Sequence, residues 1–510
     1  MRDELAMGRE ANAAGGAPEA ALPASHAAAA PRAWRAWPRW LAAADRHLLV
    51  LVVLFVLSLP LVTHRVYASD EVQYFAYLRS LWFDRDLDFT NEYTYFITRY
   101  PDALAGFKQT NLDRISDRGT PIGPPTGLPQ NFGPIGTAVL WVPFYAAGHL
   151  VALGLHALTA AVAVDGYSPP YIWAITTGSA VYTAVALLLL YALAGRYVER
   201  AAAFWATLGV WLGTPVIFYS HGAPAYSHAA SLFAVTLFLV VWHRTRPLLT
   251  RRPGHWLALG GLAALVTMVR EQDGAIPVAV IAAEVFLALP ALRRAASARH
   301  WRPLLRALAG GALMLAAWLI AFIPQLAVYA VLNGALRPNQ NVTDKMISWF
   351  PRWAFTVVFS PEYGLVFWTP LVVPALLGLA WLWRRDRALT LALALSFLAT
   401  WYITAVYNTG PSRGSFGARR FLNCTPVILL GLAATYAALR QRRLGALVPL
   451  LTGLGIWWNL GLIVQFAFHL MDRQRLELGA ILANQFGAVP ARLLEIVQRL
   501  VFARDTLFKN

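Results

Sequence analysis

The chain has 510 residues, of which 58% are hydrophobic and only 14% are Asp, Glu, Lys or Arg. A soluble domain carries about a quarter charged residues, so a soluble enzyme is excluded. The net charge of +17 does not point to nucleic acid, because the basic residues are scattered through short loops between apolar runs, where they act as topology signals and membrane-surface contacts.

Those apolar runs are roughly 17 to 25 residues long, the length that spans a bilayer core. The 20 Trp and 19 Tyr suit the aromatic belts of membrane interfaces. The expected fold is an all-α polytopic membrane bundle. The single cysteine, Cys424, excludes an intramolecular disulfide. In chain order, residues 1–46 are rich in Ala, Pro and Gly and read as a disordered basic cytoplasmic tail. Residues 47–63 read as the first transmembrane helix. Residues 64–170 form an outer loop, expected on the periplasmic face of a bacterial inner membrane and folded as short interfacial helices.

Within that loop, residues 134–164 are long enough either to span or to lie in the interface, and loop charge separates the two. With that segment on the surface, ten further helices fall near 171–195, 203–219, 227–242, 256–269, 274–290, 307–331, 362–383, 388–406, 422–438 and 444–466, within the stretch 171–466. The short inward loops then carry seventeen basic residues, from Arg196 to Arg443, and the short outward loops carry seven. Counting the segment as a span reverses this bias, so the positive-inside rule favours about eleven helices and a cytoplasmic N-terminus. Residues 467–510 then lie outside. They end in PARLLEIVQRLVF, which puts Leu493, Leu494, Ile496 and Val497 on one face as an interfacial amphipathic helix.

The chemistry-bearing residues concentrate at the outward face. Asp70 and Glu71 follow Ser69, a good N-cap, and sit in a first helical turn where the dipole favours carboxylates. Tyr74, Tyr77, Leu78 and Leu81 recur behind them at helical spacing. Arg270 lies between two apolar runs with almost no loop. At that depth an arginine costs about 2.5–3.5 kcal/mol, so it should face a cavity and an anion, or else simply pair with Glu271 or Asp273. YNTGPSRGSFGARRFLNCTP (407–426) brings Arg413, Arg419 and Arg420, which can grip phosphate oxygens. Asp113, Asp117, Lys345 and Glu362 join this face. His221 and His228, in SHGAPAYSH, are spaced poorly for chelating a metal.

The acid pair heading DEVQYFAYLRSLW resembles a pattern in the first outer loop of the GT-C class of membrane glycosyltransferases, which includes the protein O-mannosyltransferases and the lipid A aminoarabinose transferases. FSPEYGLVFWTPL (359–371) and GSFGARRFLNCTPVILLGLA (414–433) resemble recurrent pieces of bacterial members. The resemblance implies a GT-C-like bundle, a polyprenyl-phosphate-linked sugar donor, a lipid-, glycan- or protein-linked acceptor and inversion at the anomeric carbon. It implies Asp70 as general base, and Glu71 as its orienting partner or as co-ligand of a divalent cation. Arg270, Arg413, Arg419, Arg420 and Lys108 would stabilise the departing lipid phosphate. A polyprenyl-linked glycan flippase, or a non-catalytic lipid-binding subunit, would use the same cavity without breaking a bond.

Overall fold

The computed structural model describes residues 45–112, 126–339, 348–362, 364–407, 415–473 and 475–502. Within these residues every regular element is helical. The elements are α1 (Arg46–Ser58), α2 (Ser69–Arg79), α3 (Thr90–Arg99), α4 (Gly136–Thr159), α5 (Pro169–Ala194), α6 (Arg200–Leu212), α7 (His228–Thr245), α8 (Pro253–Val269), α9 (Ala275–Ser297) and α10 (Arg302–Asn333). They continue as α11 (Val372–Trp383), α12 (Arg387–Ala405), α13 (Thr425–Gln441), α14 (Leu447–Ala467), α15 (Leu478–Ala483) and α16 (Leu493–Phe502).

This is a multi-pass membrane architecture. Among the described residues, α4, α5, α9, α10, α12, α13 and α14 are long and apolar enough to cross a bilayer, and a C-terminal pair bent by 76° would make eight. The expected eleven are not all reached by length. Two of the shortfalls have a local cause. The segment expected at 203–219 stops at Leu212, ahead of Gly213-Thr214-Pro215. The one expected at 362–383 breaks into Leu365–Trp368 and α11, because Thr369 precedes Pro370 and takes φ −139°, ψ 70°; a proline disfavours the α region in the residue before it.

The segment of ambiguous topology forms one continuous helix, α4. It runs antiparallel to α5: Tyr182 donates to the Leu140 carbonyl (2.7 Å), Trp141 to Ser179 (2.9 Å), and His149 bonds Tyr171 (2.7 Å). Residues 150–159 therefore run past the start of α5. The segment before α5 is tied to α2, whose Arg79 donates to the Asp165 carbonyl (3.4 Å), and Gly136 at the other end of α4 packs on Met268 and Val269 at the end of α8. α4 thus lies lengthwise along the first half of α5, and its length suffices for a span.

At the opposite end, ion pairs close the bundle. Arg246 grips Asp386 with both nitrogens (2.9 and 2.6 Å), and Tyr197 donates to the same carboxylate. Arg251 and the Trp242 indole both bond Glu284. Buried charges are tolerated only when paired in this way. In the amphipathic C-terminal helix α16, Ile496 is buried while Leu493, Leu494 and Val497 are exposed, with Glu495 and Arg499 paired at 2.8 Å.

Between α11 and α13 the backbones touch through Gly378 and Gly431, where any Cβ would run into the opposing main chain. Small residues allow such approach between helices in a membrane. Gly431→Val should force the two helices apart, costing about 1–3 kcal/mol or more by overpacking. The expected result is a melting temperature in detergent several degrees lower, with Gly453→Ala, at a site open to space, as a neutral control.

Candidate active site

The site starts from α2. Its first turn is closed by Glu71, whose Oε2 accepts the backbone N–H groups of Tyr67 (3.0 Å) and Ala68 (3.1 Å). Ala68, in extended conformation, holds the N-cap position, so the cap expected at Ser69 shifts by one residue and Glu71 closes the turn. Glu71 is 1% exposed. Burial pushes its carboxyl up to about 7, against the two backbone hydrogen bonds that favour the ionised form.

α2 is less amphipathic than its sequence suggests. Val72, Phe75, Ala76, Tyr77 and Leu78 are all buried, because the segment QNFGP folds over it. Asn131 donates to the Gln73 carbonyl (3.0 Å), the Phe132 N–H to Gln73 Oε1 (2.6 Å), and Tyr77 to the Gly133 carbonyl (2.9 Å). The helix is thereby fixed, and Asp70 at its tip is held with it.

Asp70 keeps 40% of its side chain exposed, and its Oδ2 accepts from Arg419 Nη1 at 3.1 Å. Arg419 opens a 3₁₀ turn, Arg419–Cys424, that runs into α13 at Thr425-Pro426. Its guanidinium lies 5.7 Å from the Tyr226 ring. The adjacent Arg420 points elsewhere: it stacks on Tyr407 at 3.9 Å, and its buried Nη1 has no hydrogen-bond partner among the described residues. Arg420 lines a cleft with Gln272, Asp273, Thr400, Ile403, Thr404 and Tyr407.

Arg270 is committed within the protein. Nη1 donates to His228 Nδ1 (2.8 Å), and Nε lies 3.4 Å from Asp273 Oδ2. Asp273 also accepts from Ser231 (2.5 Å) and from the Asn423 amide. Glu271 turns away and accepts from Tyr329. Of the two alternatives for Arg270, pairing with Asp273 is the one present here. Lys108 is exposed in the turn Lys108–Leu112, and nothing among the described residues ties it to Asp70 or Arg419. Arg413, Asp113, Asp117 and Lys345 lie outside the described residues.

Glu71 spends its carboxylate on its own helix start, so Asp70 and Glu71 in this arrangement do not fit a shared divalent cation. Among the described residues no cluster of three or more His, Cys, Asp or Glu forms a metal site. His221 bonds Ser58 (2.9 Å), and its carbonyl accepts from the Thr63 N–H (2.7 Å), fastening the end of α1. His228 faces Arg270. The two histidines therefore serve different partners. Tyr226, Ser227 and Tyr407 were not identified from sequence, and Tyr74 was named only for its helical spacing. Two of them sit inside SHGAPAYSH, where the aromatic and hydroxyl residues between the histidines were the available signal.

The raised carboxyl of Glu71 makes stability depend on pH. Its folded value, about 7, lies above the ordinary 4.5, so the contribution is full below about 4.5 and is lost as pH rises through about 7. The melting temperature in detergent should therefore fall between pH 5 and pH 8, and Glu71→Gln should flatten that fall. An unchanged slope in the variant would show that Glu71 is not its source.

No family model matches the chain, and no curated protein sequence matches it. Solved structures show a distant likeness of helix arrangement. ArnT from Cupriavidus metallidurans, bound to undecaprenyl phosphate, is 13% identical with a TM-score of 0.42, covering 91% of this chain and 76% of its own. The archaeal oligosaccharyltransferase AglB from Archaeoglobus fulgidus, in complex with an inhibitory peptide and a dolichol-phosphate, is 13% identical with a TM-score of 0.44, covering 92% of this chain and 56% of its own. The Archaeoglobus fulgidus oligosaccharyltransferase in its apo form is 15% identical with a TM-score of 0.42, and this chain again spans 56% of its length.

Proposed function

We propose that this protein is a membrane glycosyltransferase that moves a sugar from a polyprenyl-phosphate donor to a hydroxyl of a cell-envelope acceptor, with inversion, at the periplasmic face of a bacterial inner membrane. One observation carries the reading. A carboxylate open to solvent, Asp70, sits in an ion pair at the end of an apolar bundle, and Arg420, next to Arg419 in sequence, lines a cleft and has a buried Nη1 with no hydrogen-bond partner among the described residues.

Asp70 takes the proton of the acceptor hydroxyl as the acceptor oxygen bonds to the anomeric carbon. The bond from that carbon to the donor phosphate breaks, and its electron pair leaves with the phosphate oxygen. Arg420 meets the negative charge gathering on the phosphate, as a donor already in place before the reaction starts. Arg419 holds Asp70 Oδ2 and places the base. The apolar helices accommodate the isoprenoid tail in the bilayer.

Turnover of a labelled polyprenyl-phosphate sugar by the purified protein in lipid nanodiscs tests this. Asp70→Asn should lower the rate about 10²–10⁴-fold, the usual effect of removing a general base, while the protein stays folded. Arg420→Ala should raise the donor KM at least tenfold, consistent with the ~2–5 kcal/mol lost when one partner of a buried charge contact is removed. Arg387→Ala, at the far end of α12 against Trp383, should leave it unchanged. Transport of the lipid-linked sugar with no product would point to a flippase, and near-normal turnover by Asp70→Asn would remove the base.

Orientation has a separate check. In a background with Cys424 replaced, Thr110→Cys should react with a membrane-impermeant thiol reagent added to the periplasmic side. Labelling only from the cytoplasm would overturn the assignment of the face.

A further inference from the structure

Three consecutive residues entering α7 each reach a different part of the site. The Tyr226 ring faces the Arg419 guanidinium at 5.7 Å. Ser227 Oγ donates to the Tyr74 hydroxyl at 3.1 Å, and Tyr74 lies one turn beyond Asp70 on α2. His228 accepts from Arg270 at 2.8 Å, and its ring lies nearly parallel to that of Tyr226, at 26° and 5.9 Å between centroids. Tyr219 packs against both rings, 4.4 Å from His228 and 5.6 Å from Tyr226.

His228 is 1% exposed and Arg270 is 9% exposed. A guanidinium only donates hydrogen bonds, so the imidazole nitrogen facing it must carry a lone pair. The ring is therefore neutral here. Around it stand Arg270, Arg419 and Arg420, with Asp273 beyond Arg270 and the phenols of Tyr219 and Tyr226 alongside. A fourth cation in that place would oppose the other three.

We propose that His228 is a positioning residue: held neutral against Arg270, it fixes the Tyr226 ring beside Arg419 and so keeps Arg419 aligned on Asp70. The significance for turnover rests on the glycosyltransferase reading, while the alignment itself does not. His228 touches neither Asp70 nor Arg419. It acts through Tyr226, and the hydrogen bond from Arg270 stops the imidazole from tilting away.

The test uses the full-length protein in nanodiscs. His228→Phe keeps a ring against Tyr219 and Tyr226 but gives Arg270 no acceptor, whereas His228→Gln restores a neutral acceptor. Hydrogen–deuterium exchange of the backbone amides at 419–424 is the primary readout. His228→Phe should speed exchange there about tenfold, in line with the loss of a hydrogen bond to a charged group, and His228→Gln should return it to the wild-type rate. Tyr226→Leu, with His228 intact, should give the same local signature, and it serves if the phenylalanine variant does not fold. Wild-type exchange at 419–424 in both His228→Phe and Tyr226→Leu would overturn the proposal.

Turnover is measured in parallel. The expected split is a loss of kcat in His228→Phe with the donor KM unchanged, recovered by His228→Gln. A residue needed only for folding would lower the amount of folded protein and its melting temperature without changing kcat per folded molecule. If the wild type turns over no polyprenyl-phosphate sugar, the reaction assignment fails, and the exchange result still decides the role of His228.

Discussion

An arginine carried to the end of an apolar helix has to find a partner, because leaving a guanidinium buried and unpaired costs several kcal/mol. The arrangement of the end of this bundle that carries α2 follows from that constraint. Arg270 comes directly after α8 and is met by His228 and Asp273. Asp273 in turn draws in Ser231 from α7 and Asn423 from the 3₁₀ turn before α13. Three helix ends are tied together by the need to neutralise one cation, and the loop segments between them fall into fixed places.

The ion pair between Asp70 and Arg419 belongs to a different category. It joins residues 349 positions apart, yet Asp70 remains 40% exposed, and pairs this open to water contribute about 0–1 kcal/mol. Stability is therefore a weak reason for the pair. Its effect is to hold a carboxylate and a guanidinium side by side at the mouth of the bundle. The rigid parts lie behind it: α2 is locked by Gln73 and Tyr77 against the 131–133 segment, and the 3₁₀ turn of Arg419 is held through Asn423.

Much of this was legible in the sequence. Apolar run length located α5, α12, α13 and α14 to within three residues at each end, because the thickness of a bilayer sets that length, while α9 ends seven residues later and α10 starts five residues earlier than expected. Asp70 and Glu71 stood out in the sequence as an acid pair after a helix-start residue, and the structure gives Glu71 to the helix start and sets Asp70 against Arg419. The partners of the arginines were not legible. Arg270, Arg419 and Arg420 look alike as residues at the same face, and only the three-dimensional packing shows that Arg270 is spent on His228 and Asp273 while Arg420 Nη1 has no hydrogen-bond partner among the described residues. The break at Thr369-Pro370 was visible in principle, but the apolar run around it outweighed one proline.

Glu71 shows the same limit at the finest scale. It is adjacent to Asp70, carries the same charge and was read as its partner. Successive residues on a helix point about 100° apart, so two neighbours at a helix tip start out toward different surroundings. Here the turn inward went to Glu71. It reaches back to the Tyr67 and Ala68 amides that a helix start leaves unsatisfied, and burial raises its carboxyl. The turn outward went to Asp70, which meets Arg419 and water. One carboxylate fixes where the helix begins, and that in turn fixes where the other one stands. A sequence pattern of two acids therefore resolves into an anchor and a solvent-facing carboxylate.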